Sequence, residues 1–231
     1  MFDDIVTLGR VPGTGRVLEI GCGTGQATRP LAERGLDVTC VELGADLAAF
    51  AARKLSGFPN VRVVNEPFES WEPDGKYDAV VAFTAFHWID PEARYTKSAR
   101  ILRPGGALAV IETHHALNDD PFWLDVQEDY DAVVPSPHNR PPPRVEEIGE
   151  LSAEIEASAV LRPVAARRYE WDVTYDADEY IAVLSTYSPN LDLDAERREL
   201  LFDRIHRRIE SRPGGQVTKR YVATLNVARR P

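Results

Sequence analysis

The stretch Val17–Thr28, V-L-E-I-G-C-G-T-G-Q-A-T, constrains this chain more than any other. Branched apolar residues run into three glycines spaced two apart, and a helix-compatible run follows. A short apolar run that enters a glycine turn suits a strand buried on both faces. Glycine tolerates positive φ and leaves the backbone uncovered, so Gly21, Gly23 and Gly25 strip side chains from the whole turn. One glycine, or two, would serve a tight strand-to-helix connection. Three suit a ligand that lies against the main chain.

The same rhythm repeats through the first half. Strand-like runs at Arg16–Ile20, Leu36–Val41, Asn60–Val64, Tyr77–Phe83 and Ala107–Glu112 alternate with helix-like runs at Gly25–Arg34, Ala45–Leu55 and Pro91–Leu102. Gly35 is placed to end the first of these helices, and Asp90 with Pro91 to start the third. R-P-G-G at Arg103–Gly106 reads as a turn into the fifth strand. Alternation of this kind predicts a parallel sheet with helices on both faces. Beyond Glu112 the spacing predicts helices at Pro121–Val133, Val145–Ala157, Ala177–Tyr187 and Asp194–Arg212. Between the first two lies a stiff proline loop, Pro135–Pro143. Two late strands, Val164–Val173 and Gln216–Arg229, complete the count. The expected architecture is a Rossmann-like, doubly wound α/β fold. Its seven-stranded mixed sheet is mostly parallel, with an antiparallel C-terminal strand and a helical cap insertion. The expected plan is a single domain over 1–231, with a cofactor-binding half at 1–112, a cap and substrate region at 113–215, and a closing strand at 216–231.

Composition narrows the function class. A chain of 231 residues buries roughly 70% or more of its unfolded surface and needs no disulfide or metal to fold. Its two cysteines, Cys22 and Cys40, form neither a disulfide framework nor a zinc motif, which points to a reducing, cytoplasmic compartment. A net charge of −10 argues against a nucleic-acid partner, and no apolar run approaches the ~20 residues of a membrane span. A small-molecule substrate is the expectation.

Which ligand the glycine turn serves is decided by its neighbours. A dinucleotide fingerprint, G-x-G-x-x-G, needs its third glycine at position 26, where this chain has Gln26. An NAD-type oxidoreductase is disfavoured on that ground. No G-K-[ST] ending follows, and no basic residue lies in the turn. Glu19 just before the turn would repel a pyrophosphate and favour a cationic ligand. Glu42 ends the second strand, where α/β sites take ribose hydroxyls with a carboxylate.

This combination resembles motif I and the following acidic motif of the class I S-adenosylmethionine-dependent methyltransferases. Further motifs carry the resemblance: F-E-S-W at Phe68–Trp71, Y-D-A-V-V-A at Tyr77–Ala82, A-F-H-W-I-D-P at Ala85–Pro91 and A-R-I-L-R-P-G-G-A-L at Ala99–Leu108. V-T-K-R-Y-V-A-T-L-N-V-A-R-R at Val217–Arg230 resembles the closing strand of the methyltransferase-type-11 and trans-aconitate methyltransferase branch. The resemblance implies S-adenosylmethionine as cofactor. It places Gly21, Gly23, Gly25 and Gln26 along the methionine and ribose portions, with Glu19 toward the methionine end. Glu42 would accept both ribose hydroxyls, Leu43 would lie against adenine, the Phe68 backbone N–H would reach the ring with Glu69 nearby, and Thr84 would border the methionine moiety. Two departures stand out. Pro67 occupies a place where many relatives carry Asp, and the chain starts almost at Phe2, so its cover over the cofactor is expected to be short or the start incomplete.

Methyl transfer from a sulfonium depends mainly on positioning, and a base is needed only when the acceptor must lose a proton. His87 is the candidate base, with Trp88, His114, His115 and Tyr187 as candidate substrate-pocket residues. Because the fourth and fifth strands are expected to be neighbours, the three histidines could line one mouth, with at most one of His114 and His115 facing the site, since the two point in opposite directions on an extended strand. A metal site is not expected. The competing reading is a protein that retains cofactor affinity without catalysis.

Overall fold

The computed structural model describes residues 1–135 and 140–231; the middle of the expected proline loop, 136–139, lies outside the described residues. Helix α1 (Phe2–Gly9) precedes strand β1 (Arg16–Ile20). Then follow α2 (Thr28–Glu33), β2 (Asp37–Glu42), α3 (Ala45–Lys54), β3 (Val61–Asn65) and β4 (Tyr77–Phe83). Next come α4 (Pro91–Ile101), β5 (Leu102–Ala116), α5 (Phe122–Val133), α6 (Ser152–Ala157) and β6 (Arg162–Asp176). The chain ends with α7 (Ala177–Leu184), α8 (Ser188–Leu191), α9 (Ala195–Glu210) and β7 (Gln216–Arg229). The seven strands form one sheet in the order β3-β2-β1-β4-β5-β7-β6, mostly parallel with antiparallel C-terminal strands. The strand order reverses between β1 and β4, which both pair in parallel register: Val17 lies opposite Val38 on one side and Ala79 on the other.

Contacts divide the chain into two compact units: residues 1–113, 150–169 and 223–231 in the first, and 114–149 and 170–222 in the second. Most of the stretch expected as a cap therefore falls in the second unit, while 150–169 joins the first.

In the first unit the parallel strands are buried on both faces. Leu18, Ile20, Val80, Ala82, Leu108 and Val110 pack with Tyr95, Ala99 and Ile101 of α4. Val17, Val38, Cys40, Ala79, Val81 and Ile111 pack with Ile5 of α1, Leu31 of α2 and Ala51 of α3. That is the physical reason these strands read as continuous apolar runs, not as alternating ones. Asp90 caps α4 as its sequence predicts, accepting from the Glu92 N–H at 2.9 Å with Pro91 in the first turn.

Several expectations are corrected. R-P-G-G at Arg103–Gly106 is no free turn but an irregularity inside β5. Tyr77 lies opposite Leu102 while Ala79 lies opposite Ala107, so the four residues 103–106 face Asp78 alone and β5 carries three extra residues there. Gly105 takes φ +76° there, and a Cβ at Gly106 would meet the Arg103 carbonyl at 2.9 Å. The expected helix Val145–Ala157 shrinks to a single 3-10 turn at Val145–Glu147 and the short α6. Between them Leu151 N–H donates to Asn226 Oδ1 at 2.9 Å, so the segment spends its polar groups on β7 rather than on its own helix. The helix expected over Ala177–Tyr187 ends at Leu184; the Ser185 amide still bonds four residues back to Ile181, and those of Thr186 and Tyr187 bond only three back, to Val183 and Leu184. Helix α1 carries no expectation from the sequence.

The second unit has its own core. Phe122, Trp123, Val126 and Val133 of α5 pack with Tyr180 and Leu184 of α7, with Leu201, Ile205 and Ile209 of α9, and with Val217 of β7. No helix among the described residues is long and apolar enough to cross a membrane.

Candidate functional site

The first unit has a cleft of about 490 Å³ where β1 and β4 end, lined by the glycine turn together with Glu19, Phe83, Thr84 and Thr113. It lies at the carboxyl edge of the sheet where the strand order reverses, the place where open α/β sheets bind ligands.

All three glycines of the turn adopt positive φ: +68° at Gly21, +54° at Gly23 and +75° at Gly25. Their surroundings differ. A Cβ at Gly21 would stand 2.6 Å from the Ala85 methyl, and one at Gly25 would stand 2.7 Å from Leu55 Cδ1. Those two glycines are required by packing. A Cβ at Gly23 would meet nothing within 4 Å. At Gly23 the bare backbone faces open space, which fits a ligand held against the main chain.

Two carboxylates frame the turn. Glu19, 1% exposed, lies on the β1 face that packs against α2, with Cys40 Sγ 3.7 Å from its Oε2. Burial raises its carboxyl from about 4.5 to about 7, against the contacts of Thr28 and Cys40. Glu42, also buried, accepts from the Gly23 N–H at 2.9 Å through Oε2 and from the Gly44 N–H at 2.8 Å through Oε1. The carboxylate is thus fixed by the turn itself, and each oxygen keeps a lone pair for a further donor.

Thr84 takes φ +53°, a conformation that costs a β-branched residue on the order of 1–3 kcal/mol. Its N–H is held by the Ile111 carbonyl at 2.7 Å, and its hydroxyl is 3.4 Å from that of Thr113 on β5. Such strain, sustained by neighbouring strands at a cleft wall, is characteristic of ligand sites.

The remaining expected cofactor residues differ in setting. Gln26 lines the cleft. Leu43 is 72% exposed at the end of β2, with its carbonyl accepting from the Asn65 side chain at 3.0 Å. The Phe68 ring is buried in the core, with Lys97 Nζ 5.4 Å from its centroid. Glu69 accepts from the Asp90 N–H at 3.3 Å, tying that loop to the start of α4. Met1, Phe2, Cys22, Thr24 and Ala27 also line the cleft and escaped the sequence reading. Cys22, Thr24 and Ala27 were signalled by their place within or just after the glycine turn, whereas Phe2 opens a helix the sequence did not announce and Met1 sits at its N-cap.

The expected chemistry residues are divided between the two units. His87 and Trp88 lie on a 3-10 turn at Phe86–Trp88, with ring centroids 4.9 Å apart. Phe86 is the buried member of that turn; His87 is exposed, Trp88 is 79% exposed, and neither lines the cleft. His114 and His115 belong to the second unit. There the structure does join two candidates: the His115 ring is 5.1 Å from Tyr187 and 5.2 Å from Tyr221.

Comparison with known proteins bears on the domain and the fold. Residues 17–106 match a family described as a methyltransferase domain. An uncharacterized methyltransferase of Mycobacterium tuberculosis is 38% identical over 96 residues, covering 42% of this chain and 39% of that protein. The chain thus spans about two fifths of the length of the first curated relatives it matches. Among solved structures, a candidate type II methyltransferase from Anaeromyxobacter dehalogenans superposes with a TM-score of 0.66 at 24% identity, covering 96% of this chain and 93% of that one. A coclaurine N-methyltransferase bound to N-methylheliamine and SAH gives 0.53 at 17%, covering 97% and 70%. At such identities the two structures speak to the fold.

Proposed function

We propose that this chain, whose residues 17–106 match a methyltransferase domain, is a class I S-adenosylmethionine-dependent methyltransferase that binds its cofactor in the cleft at the glycine turn and methylates a small molecule. The observation that carries the reading is the turn itself. Gly23 presents bare backbone to open space, between a buried Glu19 and a Glu42 clamped by two amides. The SAH held by the coclaurine N-methyltransferase neighbour supports the same cofactor class.

The donor set suits a ligand with a cationic methionine end and a ribose, and it lacks the basic groups a pyrophosphate would need. Glu42 would accept the ribose hydroxyls with its second lone pairs. Glu19 would give up its proton as the methionine ammonium approaches. Thr84 and Thr113 would hold the methionine portion from the β4–β5 side. When bound, the cofactor supplies a methyl group on sulfur that leaves by in-line displacement. The chain's contribution is to fix that methyl in direction and to keep the acceptor in line. His87, exposed on its turn, receives no step.

Calorimetric titration with S-adenosylhomocysteine tests the cofactor, and release of that product across a metabolite panel tests the reaction. Binding of S-adenosylhomocysteine with no turnover on any acceptor would favour the reading in which the chain only binds the cofactor. Equal binding of NAD would sink the proposal.

A further inference from the structure

The second unit holds a buried ammonium that none of its described carboxylates balances. Lys219, on β7, is 6% exposed. Its Nζ donates to Tyr180 Oη at 2.9 Å and lies 5.0 Å from the Trp123 ring centroid, 5.2 Å from that of Tyr180 and 6.0 Å from that of Tyr187. An ammonium has three donors, and among the described residues one is used. Burial alone brings Lys219 down to about 8, and no acid enters the balance.

Two more polar atoms of the same cluster lack a hydrogen-bond partner among the described residues. Trp123, 5% exposed, has its Nε1–H buried and unmet, and so is His115 Nδ1. Burial, reinforced by the charge of Lys219, lowers His115 to about 4, so its ring is neutral at neutral pH. Tyr221 closes the group, against His115 on one side and stacked on Trp171 at 5.6 Å on the other. A core that needed only volume at these positions would carry Leu, Met and Phe, because unmet buried donors and lone buried charges oppose folding.

We propose that Lys219, Trp123 and His115 form the polar end of a binding site for a small aromatic carboxylate within the second unit, walled by Tyr180, Tyr187 and Tyr221. One ammonium and two neutral ring nitrogens match a single negative charge better than a phosphate dianion. Flat aromatic walls favour a flat ligand, by edge and offset contacts. As the acceptor site of the enzyme this assignment rests on the methyl-transfer reading; as a carboxylate site it stands apart from it.

The test is calorimetry on the full chain with benzoate as probe, benzamide as its uncharged counterpart, and S-adenosylhomocysteine titrated separately. Benzoate binds at least tenfold tighter than benzamide. Lys219→Met removes that preference and leaves S-adenosylhomocysteine affinity unchanged, and Trp123→Phe weakens benzoate severalfold. In the unaltered chain, the lysine Cε signal of Lys219 titrates at least one pH unit higher with saturating benzoate. This last measurement decides the matter if Lys219→Met fails to fold. Benzoate binding no better than benzamide, or an unmoved Lys219 titration, overturns the site. S-adenosylhomocysteine binding without benzoate binding overturns this site and leaves the proposed function. The reverse outcome keeps the site and removes that function.

Discussion

At the scale of single residues, the two glutamates make opposite demands on their surroundings. Glu19 is buried where a charge is costly, so its neutral form is favoured in the folded chain and its carboxyl rises from about 4.5 to about 7. A carboxyl raised by folding contributes stability that is full below its unfolded value and lost as pH climbs through the folded one. The ligand-free protein should therefore lose on the order of 3 kcal/mol between about pH 4.5 and pH 7 from this group. Urea unfolding across that range measures the loss, and Glu19→Gln should flatten it. A cationic ligand reverses the preference, so cofactor binding near pH 7 should release a proton from Glu19. Calorimetry in buffers of different ionisation enthalpy detects that release. Glu42 already spends both oxygens on the Gly23 and Gly44 amides. Glu42→Ala removes a charged acceptor worth roughly 1.5–3 kcal/mol per hydrogen bond. S-adenosylhomocysteine affinity should fall about tenfold or more while the circular dichroism spectrum stays unchanged. Undiminished affinity would mean that Glu42 serves only the turn.

At the scale of elements, the glycine turn separates folding from binding. Gly21→Ala places a methyl 2.6 Å from the Ala85 Cβ at φ +68°. Backbone strain and overpacking together should cost about 2–4 kcal/mol. Gly23→Ala meets no neighbour, so only the left-handed backbone penalty of about 1–2 kcal/mol applies. That variant should fold, yet lose at least tenfold in S-adenosylhomocysteine affinity because its methyl enters the cleft. Denaturant midpoints beside titrations separate the two outcomes; equal affinity in Gly23→Ala would move the ligand elsewhere. The turn after β4 invites a similar comparison. Asp90 caps α4 through the Glu92 amide, and Asp90→Ala should destabilise by ~1 kcal/mol. His87, exposed and outside the cleft lining, should tolerate alanine with cofactor affinity unchanged and turnover within a few-fold of the parent. A hundredfold fall in turnover at constant affinity would restore it as a proton acceptor.

At the scale of the whole molecule, ligand binding to the folded chain alone should appear as stability. S-adenosylhomocysteine at a hundred times its dissociation constant should add about 2.7 kcal/mol and raise the melting temperature, whereas NAD and FAD should not. Equal shifts with NAD would contradict the spacing argument built on Gln26. Much of the sheet was legible beforehand. β1, β4 and β7 have the bounds their sequences predict, because apolar runs flanked by Gly, Pro and Asp have few alternatives. R-P-G-G was misread as a turn because local chemistry cannot show that Leu102 already pairs with Tyr77 across the sheet. Val145–Ala157 was misread because helical spacing cannot reveal that Leu151 bonds to Asn226, 75 residues away.

What the sequence determined by itself was local: a strand ending in three glycines, acids at Glu19 and Glu42, a capped helix at Asp90, and an alternation that leads to a parallel sheet. These follow from backbone sterics and side-chain period, which act over a few residues. The tertiary structure decided which glycine is open and which is packed, since only distant Ala85 and Leu55 tell Gly21 and Gly25 from Gly23. It also decided that Thr84 is strained against Ile111 and that His87 stands apart from the cleft. Lys219 sits in an alternating run that reads as an ordinary strand. Only the packing of Trp123, Tyr180 and Tyr187, drawn from two separate helices and the loop after the second, turns it into a buried charge, because burial is a property of the assembled core and not of the residue.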